Sequence, residues 1–295
     1  MPQVSPAADR SVEEFAAALI DDPLQCFDHS AARMHAIERP ALEAVQLRAL
    51  QLRFAQLRDR IPMLRKLADE LAIHELRRLE SVVPLLFRHT VYKSYPVSLL
   101  EKNRFTQLTQ WLNKLTTFDL SGVQVSHCRS IDEWVRELDV QTPLELRYSS
   151  GTTGTMSFLP NSKRQAEQMF LWVANGFFSA NNLTPPRAGA PLSMHVVHPD
   201  YRHGSTGRLR WVKHQITYLC GGDESKFHAL YPGTLSADLL FLAGRVRAAV
   251  NSRPCSGRRQ RIWTGSTRAC WANCAASRST SSARWTCCTT WPSRD

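Results

Sequence analysis

The sequence predicts an α/β chain with a helical N-terminal subregion and an irregular C-terminal tail. Three observations predict it. Apolar residues recur at helical spacing between residues 41 and 79. One short alternating run, Leu144, Leu146 and Tyr148, opens a loop dense in glycine and hydroxyls, and a helical stretch follows. After residue 250 the branched aliphatics all but vanish. A length of 295 residues suits one large domain or two ordinary ones. The chain divides into an extension (1–40), a helical subregion (41–130), a unit carrying the loop (131–250) and the tail (251–295).

Each element has its own signal. Ser11 followed by Glu14 is a capping start before the apolar run Phe15 to Ile20. From Ala41 to Arg60, Leu42, Val45, Leu50, Phe54 and Leu57 recur at three to five residues, which predicts the clearest helix. Pro62 interrupts it, and Leu64, Leu67 and Leu71 resume helical spacing toward Leu79. Pro84 and Pro96 bracket a connector with strand-like and turn-like pieces. Asn103 to Leu115 is helical again, and Ile131 to Leu138 is a short helix entered from Ser130. The segment Lys163 to Phe178 is a helix whose apolar side is expected at Met169, Phe170, Trp172, Val173 and Phe177.

The tail differs in kind. From Asn251 onward it holds eight Arg, eight Ser, six Thr, five Cys and four Trp, with Ile262 its one branched aliphatic. Such a mixture makes neither an amphipathic helix nor an alternating strand. It matches what GC-rich coding DNA gives when read out of frame, so the tail is expected to be an irregular, out-of-frame segment. Cys270, Cys274, Cys287 and Cys288 lack the usual zinc spacing, and the tail has no His. The tail also carries +7 of the chain's net +11, so the body is only mildly basic. The charge therefore does not argue for nucleic-acid binding by the folded part. No apolar run reaches the ~18–20 residues of a membrane span, and Met1 to Arg10 has no secretory pattern. The expectation is a cytoplasmic protein without a membrane partner.

The chemistry is expected at Ser149, Ser150, Gly151, Thr152, Thr153 and Gly154. Glycines let a backbone approach an anion closely, successive N–H groups form a nest, and hydroxyls add donors. The loop is not a Walker A motif, because no Gly-Lys-Ser/Thr follows its second glycine, and it is not G-x-G-x-x-G. It resembles the phosphate-binding signature of the adenylate-forming enzymes. Upstream, Gln51 to Arg65 resembles the N-terminal helix of the phenylacetate-CoA ligase branch. Val82 to Phe87 and Tyr92 to Pro96 resemble its proline-containing connector. Within that branch the chain looks most like the acyl-protein synthetases, over about residues 40–250.

The resemblance implies the N-terminal part of an adenylate-forming domain that uses ATP and Mg²⁺. An acyl or aryl carboxylate would be activated as the acyl-adenylate, and a thiol acceptor (CoA or a protein cysteine) would take the acyl group. It assigns phosphate hydroxyls to Ser149, Ser150, Thr152 and Thr153 and backbone N–H groups to Gly151 and Gly154; a phosphate cation would have to come from Lys163 or Arg164, later than the family places it. Where the family commonly has Pro then Lys after the second glycine, this chain has Met156 and Ser157. The family's adenine segment, metal-binding acid, ribose Asp and C-terminal Lys have no match before the tail. The chain as given is therefore expected not to adenylate. Two other readings stay open: an inactive remnant of a disrupted ligase gene, and a binding module whose basic tail contacts nucleic acid.

Weaker candidates complete the set. His195, His198, His203 and His214 are read as loop histidines, since their spacing matches no metal site. Cys220 is either an acyl-accepting thiol or a buried small residue. Trp172, Phe177 and Phe178 either line an acyl pocket or belong to the core.

Overall fold

Ser11 opens the first helix as its pattern requires. Its hydroxyl accepts from the Glu14 amide and the Glu14 carboxylate accepts from the Ser11 amide, so two free amides are satisfied reciprocally. The computed structural model describes residues 11–149, 151 and 155–251, and the expectations for the tail beyond Asn251 lie outside them. Helices α1 (Val12–Asp21), α2 (Pro23–Cys26) and α3 (Ala31–His35) lead into α4 (Arg39–Leu57), against which α1 packs through Phe15, Ala16, Val45 and Ala49. The helix expected at 41–60 is thus found within three residues at either end.

Pro62 starts α5 (Pro62–Glu70), which stops nine residues short of Leu79. Ala72, at φ 52°, ends it in the left-handed region. The proline-bracketed connector forms 3₁₀ turns at Leu79–Leu85 and Val91–Lys93, so its strand-like reading is corrected to turns. Pro84 has no N–H to give a ladder, which favours that outcome. Two helices follow, α6 (Ser98–Glu101) and α7 (Phe105–Leu112).

Helix α8 (Ile131–Gln141) begins at Ser130, whose hydroxyl caps the Glu133 amide. It delivers the chain to a hairpin of β1 (Leu144–Tyr148) and β2 (Phe158–Ser162). Helix α9 (Lys163–Ala180) follows directly. Then come β3 (Val196–His203), α10 (Val212–Tyr218), β4 (Phe227–Thr234) and α11 (Ala237–Asn251). The hairpin is antiparallel and the β3–β4 pair is parallel, so the described strands make two two-stranded sheets. The architecture is mixed α/β, with most described residues helical. The described residues to Ala248 form one compact unit, and residues 249–251 complete α11.

The main core lies between α7, α8 and the hairpin. Trp134, fully buried, stacks on Phe105 at 6.0 Å and meets Phe158 edge-on at 5.1 Å, while its indole N–H donates to Thr109. Leu144, Leu146 and Tyr148 point into this core from one face of β1. The opposite face of β1 is buried as well: Glu145 pairs with Arg147 at 3.0 Å and with Lys213 of α10. Burial disfavours the Glu145 charge, but the two cations outweigh it and hold the carboxyl below its ordinary range.

Helices α8 and α11 are joined at their starts. Asp238 accepts from the Ile131 and Asp132 amides, and Asp132 accepts from the Ala237 amide and the Ser236 hydroxyl. Each helix start is thus capped by a carboxylate from the other, which fixes where α11 runs.

Candidate phosphate-binding loop

The last ladder pair of the hairpin is Tyr148 with Phe158, so residues 149–157 are its connection. This corrects the expected order: β2 stands between the loop and α9, and α9 does not begin at the loop. Proximity in sequence hid the strand, because Phe158 to Ser162 contains Pro160 and no alternating pattern.

The described part of the loop is held from three sides. Ser149 donates its amide to the Ser157 carbonyl at 3.0 Å and accepts the Ser157 amide on its hydroxyl at 2.9 Å. The Tyr95 hydroxyl donates to the Met156 carbonyl at 2.8 Å, and burial raises the Tyr95 pKa. Gly151 is buried at φ +63°, where a β-carbon would sit 3.0 Å from Met156 Cγ. Its carbonyl faces α11 so closely that a β-carbon on Gly244 would come within 2.4 Å of the oxygen. Two glycines therefore let loop and helix meet backbone to backbone. Beside the stem, the Tyr148 amide donates to the Ser205 carbonyl at 3.3 Å, and burial pushes the Tyr148 phenol up to about 12.

Of the six expected loop residues, Ser150, Thr152, Thr153 and Gly154 lie outside the described residues. Ser149 and Gly151 are placed together at the loop's entrance. Lys163 is not placed with them. It follows β2 at the far end of the hairpin, and five residues of antiparallel strand span roughly 17 Å. Its ammonium donates to the Asp139 carbonyl at 2.6 Å and the Thr142 carbonyl at 2.9 Å, where it satisfies the C-terminus of α8.

The fit to ATP and Mg²⁺ can be tested on these contacts. The Ser149 amide is spent on the stem, the Gly151 carbonyl is turned to α11, and Lys163 is engaged elsewhere. The carboxylates of Asp132 and Asp238 are occupied as helix caps. Among the described residues, no group of three or more His, Cys, Asp or Glu is placed to hold a metal ion. The described residues alone therefore do not fit a magnesium–triphosphate. No family model, curated protein or solved structure matches the chain.

The remaining candidates separate cleanly. His198 and His214 are buried, and that burial lowers the pKa of each. The loop reading is corrected for three of the four, since His198 and His203 lie in β3 and His214 in α10. His195 instead bonds ring to ring with His228 at 3.0 Å, a partner that nothing in the sequence spacing announces. Cys220 is fully buried with its thiol pKa raised chiefly by desolvation, the opposite of an activated nucleophile. On α9, Phe170 and Phe178 are core, while Met169, Trp172, Val173 and Phe177 are exposed. The expected apolar side is corrected to the face bearing Phe170, Leu171, Ala174 and Phe178, which packs on Leu24 and Tyr218.

Proposed function

We propose that residues 149–154 are the triphosphate-gripping loop of an ATP-dependent ligase. That ligase activates an acyl or aryl carboxylate as its adenylate and passes the acyl group to a thiol, on CoA or on a protein cysteine. We also propose that residues 11–251 do not complete that site. One observation carries the reading: a loop of hydroxyls and glycines caps a hairpin whose stem is locked on both strands. A left-handed glycine in that loop is pressed against a helix. A stem held by the Ser149–Ser157 hydrogen bonds fixes where the loop leaves the hairpin. The incompleteness follows from Lys163, which stands a hairpin length away, and from the acids tied up as caps.

Calorimetry with magnesium–ATP and with pyrophosphate on the full chain tests the first clause. Saturable millimolar binding is expected, weakened about tenfold or more in a Ser150→Ala, Thr152→Val, Thr153→Val variant that keeps its fold. A folded protein that takes up neither probe would remove the loop from consideration. An ATP–pyrophosphate exchange assay tests the second clause. No turnover is expected, and measurable exchange would show the site to be complete.

A further inference from the structure

A cleft lies away from the loop, between α1–α3 and the C-terminal half of α9. Its volume is about 1020 Å³, at the top of the range for small-molecule sites. Its walls are largely apolar, with Phe27, Met34, Trp172 and Phe177 among the lining side chains. Trp172 and Phe177 are 54% and 64% exposed, large aromatic surface left open to water at one place. Single exposed apolar residues need no explanation, but a contiguous aromatic cleft does.

The fixed charge on the lining of the cleft is the Arg187 guanidinium. His29, His35 and Arg187 line it, and no Asp or Glu does. The His29 Nδ1 is buried without a hydrogen-bond partner, and Arg187 forms no ion pair with another described residue. The walls are fixed rather than loose. The Asn175 amide donates to the His29 carbonyl at 2.8 Å, and the Gln168 amide and Arg164 guanidinium both donate to the Asp21 carbonyl. Asp28 and His29 hold left-handed backbone at φ 50° and 58°, which turns the chain between α2 and α3 beneath the cleft.

We propose that this cleft is a binding site for an amphipathic monoanion, a chain or ring carboxylate. Its apolar body would lie between Met34, Trp172 and Phe177, and its head would meet Arg187 and the imidazoles. A preformed apolar cleft gains from every methylene it shields from water, and the Arg187 guanidinium, with no acid on the lining, selects an anionic head over a neutral or cationic one. The site stands independently of the ATP reading. If both hold, it is a place where the ligase's carboxylate substrate is held by its tail.

Fluorescence or calorimetric titration of the full chain, without nucleotide, with dodecanoate, dodecanol and dodecyltrimethylammonium tests the proposal. Saturable one-to-one binding is expected, tightest for dodecanoate. Trp172→Gln and Phe177→Ser, both at exposed positions, should weaken all three probes about tenfold. Arg187→Glu should weaken dodecanoate about tenfold and leave dodecanol unchanged. Absence of saturable binding, or equal binding in the aromatic variants, would overturn the site. Equal affinity for the three head groups would overturn its anion selectivity. A Trp172-dependent dimer in sedimentation would assign the cleft to a second copy instead. A full chain that takes up neither magnesium–ATP nor pyrophosphate but still binds dodecanoate would strike the ligase reading alone.

Discussion

The antiparallel hairpin and the parallel β3–β4 pair are both two-stranded sheets, yet they are built to opposite rules. Strand β1 is buried at every residue, with a tryptophan core on one face and paired charges on the other. Strand β4 buries Phe227 and leaves its last five residues exposed, while Val197 of β3 is 79% and Leu230 of β4 62% exposed. Parallel strands are ordinarily covered on both faces, and a lone two-stranded ribbon is marginal in water. The difference teaches where the cohesion lies: the hairpin belongs to the main core, and the β3–β4 pair packs on α10 through Phe227, Val212 and Cys220.

The widest gap between the halves should show in paired substitutions. Trp134→Ala removes the fully buried ring that bridges Phe105 and Phe158, and should cost about 3–5 kcal/mol. Leu230→Thr, on the open strand, should stay within about 0.5 kcal/mol. Urea denaturation of the two variants checks this. A Leu230 variant losing more than Trp134→Ala would break the comparison.

A second pair uses one substitution at two glycines. In Gly244→Ala the new methyl meets the Gly151 carbonyl at 2.4 Å, and neither partner is a flexible side-chain end. A loss of about 1–3 kcal/mol is expected despite the better helix former. In Gly176→Ala, inside α9, nothing lies within 4 Å, and a gain of up to about 1 kcal/mol is expected. Thermal melts of both should therefore shift in opposite directions. Two gains would mean that α11 does not press on the loop.

Local signals were the legible part of this fold. The capping box at Ser11, the repeat from Ala41, the start at Ser130 and the alternation at Leu144 each state their element within a few residues. Contacts across long sequence distances were not legible. Nothing in the spacing marks that Asp132 caps the helix at Ala237, or that Gly244 seats on Gly151. The covered side of α9 is illegible in the sequence for the same reason. Its aromatics run nearly all the way round, so only the arrival of α2 and α10 decides which ones are covered. Lys163 had two roles that look alike in sequence, a phosphate cation and a helix C-cap, and the length of the hairpin chose between them.

Acid sharpens the comparison at the smallest scale, because each half holds one buried histidine. Burial lowers the folded-state pKa of both His214, under β1, and His198, in β3. Around His214, Lys213 and Arg147 oppose protonation while Glu145 and Glu167 favour it, and burial is the largest cause. In the unfolded chain a histidine takes its proton near pH 6.5, while in the fold it stays neutral to lower pH. The unfolded state therefore binds more protons between those values. Stability is fully present above the unfolded pKa and falls as pH drops toward the folded one. The slope per histidine is at most about 1.4 kcal/mol per pH unit. If the hairpin half is the cohesive one, His214 can be protonated only by global unfolding, whereas His198 can be reached by local opening of the β3–β4 pair. His214→Gln should then flatten the fall in urea midpoint between pH 7 and 5, and His198→Gln should leave most of it. If His198→Gln flattened it and His214→Gln did not, the cohesion would belong to the parallel pair.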